Sequence, residues 1–111
     1  MSAPSKVGIV GLGYVGLPLA VAFAQNGDQV IGIDLDPGKV ELLNAGESYI
    51  EDVPSEALAA VAGNLSASGE YGDLAECEAV IVCVPTPLTG SREPDLSYLE
   101  EAGRQLAGIL P

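Results

Sequence analysis

The chain has 111 residues, 48% of them hydrophobic, which suffices for one domain with its own core and is too apolar for a disordered chain. Sixteen acids against four bases (Lys6, Lys39, Arg92 and Arg104) give a net charge of -12, which repels nucleic acid and anionic lipid and excludes both as partners. An anionic ligand would have to be held by oriented backbone amides rather than by a basic patch.

Residues 1–5 (MSAPS) read as a flexible polar tail, and the domain proper as residues 6–111. Lys6 to Gly16, KVGIVGLGYVG, follows as a strand, a tight turn and the start of a helix, with glycines at G-x-G-x-x-G spacing. Gly11 lets the chain turn off the strand, Gly13 has no side chain to block a pyrophosphate, and Gly16 allows close packing of helix on sheet. The phosphates would meet unpaired amides near Tyr14 and Val15 at the helix N-terminus. A dinucleotide is the ligand this pattern suits. Val7 to Ala24 is also eighteen residues without a charge, as in a signal peptide or short membrane span. Glycines at 8, 11, 13 and 16 and Pro18 argue against a continuous apolar helix there.

The first helix is expected from Tyr14 to Asn26, buried almost all round, with Pro18 in its first turn. A second strand, Gln29 to Asp34, ends in an acid 18 residues after Gly16. Such an acid accepts hydrogen bonds from the adenosine ribose and repels the extra phosphate of NADP, so Asp34 argues for NAD. Asp36-Pro37 reads as N-cap and first residue of a helix that runs through Leu43 and stops at Gly46. Lys39, in its first turn, is either a solvated lysine or a group that swings back over the ribose or adenine.

Glu47 to Pro54 is expected to be a polar loop, Ser55 to Val61 a short helix, Leu65 to Ser68 a weak strand and Asp73 to Glu78 one helical turn. Ala79 to Val84 is apolar at every position, as in a strand covered on both faces of a parallel sheet. Pro85, Thr86 and Pro87 then form a stiff loop across the switch point from the glycine turn. It is either a plain strand terminator or a wall of the ligand crevice with Thr86 as its hydroxyl. After a loop from Leu88 to Glu93, a last helix is expected from Pro94-Asp95, in which Leu96, Leu99, Leu106 and Leu110 recur at helical spacing. Cys77 and Cys83 read as reduced, buried thiols, since no histidine or further cysteine completes a zinc site and nothing else suggests a disulfide scaffold. The cytoplasm is the expected compartment and no metal is expected.

The alternation of elements predicts an α/β fold, a Rossmann-like doubly wound parallel sheet that stops after about four strands. GLGYVGLPLA, the Gly32-Ile33-Asp34 strand end, LLNAGESYIEDVPSE and VCVPTPLTGSREPDLSYLE resemble the N-terminal domain of the UDP-glucose/GDP-mannose dehydrogenase family, above all its UDP-N-acetylglucosamine and UDP-N-acetylmannosamine 6-dehydrogenases. The resemblance implies two NAD-linked oxidations of a UDP-sugar to the uronic acid. It also implies NAD contacts at Val15 (through its amide), Asp34, Lys39 and Thr86, which favours the binding reading of Lys39 and Thr86. The candidate cofactor set is Gly11, Gly13, Tyr14, Val15, Gly16, Asp34, Lys39, Pro85 and Thr86. The family's catalytic residues would lie downstream of Pro111, and neither cysteine matches the family's catalytic cysteine motif. The expectation is therefore an NAD-binding part without catalytic residues, which would meet the UDP-sugar only in a longer chain. A stand-alone nucleotide-binding or regulatory module is the alternative. The unprotected edge of strand 79–84 further predicts a homodimer.

Overall fold

The apolar run before the first fingerprint glycine, Lys6–Val10, forms strand β1 in the computed structural model, which describes residues 5–85 and 87–109. On one side β1 pairs with β2 (Gln29–Ile33), and β2 with β3 (Leu65–Ser68); on the other it pairs with β4 (Ala79–Val82). All pairings are parallel, with Val7 opposite Val30 and Ala79. The order β3-β2-β1-β4 reverses direction between β1 and β4, which is where such sheets open a ligand crevice at the carboxyl ends of their strands.

Side chains alternate across β1, so two separate layers of packing hold the sheet. Val7 and Ile9, with Val30, pack on Ala20 and Ala24 of helix α1 (Gly16–Gln25) and on Val61. Val10 and Ile33 pack on the opposite face against Leu74, in a single 3-10 turn (Tyr71–Leu74), and against Ala102 and Leu106 of the C-terminal helix. Gly8 makes room there: a Cβ at Gly8 would stand 2.6 Å from Leu74 Cδ2. Leu17, wholly buried, joins Val21 to Ile50, Val53 and Leu58, so α1 also clamps the loop before helix α3 (Ser55–Ala60). Burying one such leucine stabilises the fold by about 2–3 kcal/mol.

Between β2 and α3 along the chain lies helix α2, Pro37–Asn44, capped by the Asp36 carboxylate, which accepts from the Gly38 amide at 2.9 Å. Such a cap contributes about 1 kcal/mol. At its other end the Asn44 side chain donates to the Ala67 carbonyl and accepts from the Ala67 amide, both at 2.9 Å, and so occupies the outer edge of β3.

Several boundaries differ from the sequence expectation. Helix α1 begins at Gly16 rather than Tyr14, because Tyr14 and Val15 remain in the turn; Pro18 is then its third residue, in the first turn, where proline is tolerated. The helix is also less enclosed than expected, with Ala22 exposed. Strand β2 stops at Ile33, leaving Asp34 just beyond the ladder. The turn expected at Asp73–Glu78 forms earlier, at Tyr71–Leu74, which lets Leu74 drop onto Gly8. Strand β4 ends at Val82 and is only partly covered, with Ala79 exposed, since it lies at the sheet margin. The last helix, α4 (Ser97–Ala107), starts after Asp95 has closed a small turn on the Ser97 amide. Its buried residues are Ala102 and Leu106, while Leu96 and Leu99 are 47% and 44% exposed, and Leu110 lies outside the described residues. Between β4 and α4 the expected loop folds back so that Leu88 and Pro94 bridge. Residues 1–4 lie outside the described residues; Ser5, placed in the tail by its polarity, already accepts a hydrogen bond from the Gln29 amide.

Candidate functional site: a crevice at the switch point

The glycine turn leaves β1 between two strand ends. The Gly11 amide donates to the Ile33 carbonyl at 2.7 Å, and the Cys83 amide donates to the Val10 carbonyl at 2.7 Å. Gly11 has φ +95°, and a Cβ there would stand 2.6 Å from the Cys83 carbonyl oxygen, so glycine is required both by backbone conformation and by close approach to the chain leaving β4. Gly16 is required by the turn itself: its Cβ would stand 1.7 Å from the Gly11 carbonyl oxygen and 3.4 Å from Cys83 Cβ. Gly13 is different. Nothing lies within 4 Å of a Cβ built there, so its bare face opens onto space.

That space is a crevice of ≈ 970 Å³, within the range of small-molecule sites. Gly11, Gly13, Tyr14, Val15, Asp34, Lys39 and Pro85 all line it; Gly16 lies buried beneath the turn, and Thr86 lies outside the described residues. The amides of Gly13, Tyr14 and Val15 make no hydrogen bond to any described residue, whereas the Leu17 amide begins the helical ladder on Gly13. Three consecutive free donors at a helix N-terminus beside an open glycine fit a pyrophosphate.

Asp34 is anchored on both oxygens. Oδ2 accepts from the Leu12 amide and Oδ1 from the Asp36 amide, each at 2.9 Å. Each oxygen keeps a lone pair, so the carboxylate can still accept from ribose hydroxyls. Leu12, with no exposed surface, packs into the gap at Gly32, where a Cβ would stand 2.6 Å from its Cδ2. Lys39 lies 5.5 Å from the centroid of the Tyr49 ring, on the rim shared by the crevice and a second hollow of ≈ 460 Å³. The Tyr49 hydroxyl donates to the Leu12 carbonyl. Its pKa is pushed far up, by burial first and then by Asp34 and Asp36, so it remains a donor.

Residues that spacing did not single out close the far end of the crevice: Leu35, Tyr71, Val84, Tyr98 and Glu101. Burial raises the Tyr71 phenol, and Glu101 and Asp34 raise it further. Hydrogen bonds from Gln105 and Arg104 hold the Glu101 carboxyl below its usual range. The signal available for them in sequence was a leucine directly after Asp34 and the three-residue spacing of Tyr98 and Glu101 on one helix. Cys77 and Cys83 are free, half-buried thiols; burial raises both, while Lys6 draws Cys77 back and Glu76 pushes it up. Among the described residues no cluster of three His, Cys, Asp or Glu could hold a metal, and no helix is long and apolar enough to cross a membrane.

A parallel four-stranded sheet with a glycine turn, free amides and an anchored acid at its switch point defines a dinucleotide-binding α/β domain. The family model described as "UDP-glucose/GDP-mannose dehydrogenase family, NAD binding domain" matches residues 5–111. The chain belongs to this family, as its NAD-binding domain. It is 40% identical to a UDP-N-acetyl-D-mannosamine dehydrogenase of Escherichia coli (strain K12), over 96% of this chain and 25% of that protein. Among solved structures it is similar to a UDP-D-ManNAc dehydrogenase from Pyrococcus horikoshii (TM-score 0.87, 38% identity, 94% of this chain and 25% of that one). A UDP-glucose dehydrogenase from Pyrobaculum islandicum gives a TM-score of 0.87 at 36% identity, over 93% and 25% of the two chains. The chain thus spans about a quarter of the length of the relatives it matches.

Proposed function

We propose that these residues hold the ADP-ribose half of NAD for a nucleotide-sugar 6-dehydrogenase that turns a UDP-sugar into its uronic acid. The observation that carries this reading is the set of amides at Gly13, Tyr14 and Val15, unpaired among the described residues, beside the open face of Gly13 and in the same crevice as Asp34. The amides would take the pyrophosphate and Asp34 the adenosine ribose hydroxyls. Lys39 would supply the one cation that a crevice bearing Asp34, Asp36 and Glu101 otherwise lacks. Leu35, Tyr71, Val84 and Tyr98 would enclose the base, with Pro85 as the wall toward the middle of the cofactor. Bound NAD supplies the hydride acceptor for both oxidations.

The sugar chemistry belongs to residues beyond this set. The 111 residues contain no histidine, and both cysteines are raised, neutral thiols rather than activated nucleophiles. Reduced thiols and an NAD-linked reaction fit the cytoplasm, and the UDP-sugar is the partner of a longer chain.

Calorimetry on the purified chain tests the reading. ADP-ribose should bind about as tightly as NAD, within roughly tenfold or 1.4 kcal/mol, because the crevice addresses the half the two share. Absence of binding for both would refute it. The same preparation should form no NADH from UDP-sugars and NAD; NADH above a protein-free blank would show that these residues do carry chemistry.

A further inference from the structure

We propose that Tyr49 is a positioning residue for the pyrophosphate, acting through the Leu12–Gly13 peptide; the inference rests on the NAD reading of the crevice. Two side chains from different parts of the chain hold successive peptide planes of the glycine turn. Asp34 takes the amide hydrogen of Leu12, which fixes the Gly11–Leu12 plane. Tyr49 gives its hydroxyl hydrogen to the Leu12 carbonyl, which fixes the Leu12–Gly13 plane.

A trans peptide is flat, with its C=O and N–H directed oppositely. A carbonyl held toward Tyr49 therefore sends the Gly13 N–H the other way, toward the crevice, where that amide makes no hydrogen bond to any described residue. The grip is firm because both ends of it are packed. Leu12 is wholly buried against Gly32, and Tyr49 is followed by Ile50 and Val53, which lock its loop to Leu17 and Val21. Lys39 covers the ring from outside at 5.5 Å. A loop that reads as a polar connector thus sets the direction of the first anion-binding amide, and without the hydroxyl the Leu12–Gly13 plane is free to rotate.

The test compares the chain with Tyr49→Phe, which deletes one hydroxyl and keeps the ring under Lys39. ADP-ribose should bind roughly five- to tenfold more weakly to Tyr49→Phe, the value of about one hydrogen bond. Adenosine, which has no phosphate, should bind both proteins alike in an NMR titration. Equal ADP-ribose affinity in the two proteins would overturn the proposal, and so would an equal loss for adenosine, which a merely structural role predicts. The wild-type chain offers a second measurement that needs no variant: its Gly13 amide resonance should shift on adding ADP-ribose and stay in place on adding adenosine. A Gly13 resonance that ignores ADP-ribose while the ligand binds would sink the inference and leave the NAD reading standing; failure of ADP-ribose to bind the wild-type chain at all would instead remove both.

Discussion

Gly16 sits so close beneath Gly11 that a single added carbon would stand 1.7 Å from the Gly11 carbonyl oxygen. Gly13, three residues earlier, has open space in the same position. The two glycines of one fingerprint should therefore fail differently. Gly16→Ala forces the turn apart and should lower stability by about 2–4 kcal/mol, in the range of overpacked sites. Gly13→Ala should fold almost as the wild type and lose ADP-ribose affinity, because the new methyl would stand in the open space proposed for the phosphates. Thermal unfolding together with calorimetry separates the outcomes; a destabilised Gly13→Ala that still bound would contradict the assignment.

Asp34 lines the crevice and also holds the Leu12 amide. Asp34→Ala should relax the preference for NAD over NADP, since the charge that repels the extra phosphate is gone. It should also destabilise the chain by about 1–3 kcal/mol, because a buried amide loses its acceptor. The ratio of NAD to NADP affinity and the urea midpoint measure the two effects; an unchanged ratio would remove Asp34 from the specificity argument.

Tyr49, Tyr71, Cys77 and Cys83 all have pKa values raised by burial. For such acids the folded state holds the proton more tightly than the unfolded chain does, so their contribution is complete below the unfolded pKa and falls as pH rises above it. The urea midpoint should be steady near pH 7 and decline above about pH 8.5, where thiols begin to ionise, and further above about pH 10, where phenols follow. Tyr49→Phe should flatten the upper part of that decline. A midpoint constant from pH 7 to above pH 10 would show that these groups do not titrate differently in the folded chain.

Strand β4 has one partner, β1, and among the described residues no side chain hydrogen-bonds to its backbone. Its sequence, AVIV, carries no charge, proline or glycine to discourage pairing. A second copy can lie antiparallel against it across a two-fold axis and continue the sheet. The net charge of -12 opposes this, though it is screened beyond about 8 Å at physiological salt, so dimers should increase with salt. Light scattering on a sizing column at low and high salt should show the change, and a monomer of 11.3 kDa in both would exclude it.

The sequence was most legible where structure is set by neighbours along the chain. The glycine turn, Asp34 at the end of β2 and the Asp36-Pro37 helix start all rest on spacing and backbone geometry, and the structure contains each of them. Tyr49, Tyr71 and Glu101 escaped because what matters about them is the company they keep across 37 or more positions, and no local spacing encodes that. The exposure of Leu96 and Leu99 has the same origin: helical periodicity says which residues share a face, while the width of the sheet decides how much of that face is covered.

The Asn44 amide that occupies the outer edge of β3 bears on how many copies could join. A sheet open at both margins can add chains without end, each new copy offering a fresh template. With one margin stopped, a pair joined through β4 has no template left and the assembly is self-limiting. Asn44 would then act as a terminator of polymer growth, and its loss would convert a closed pair into a filament.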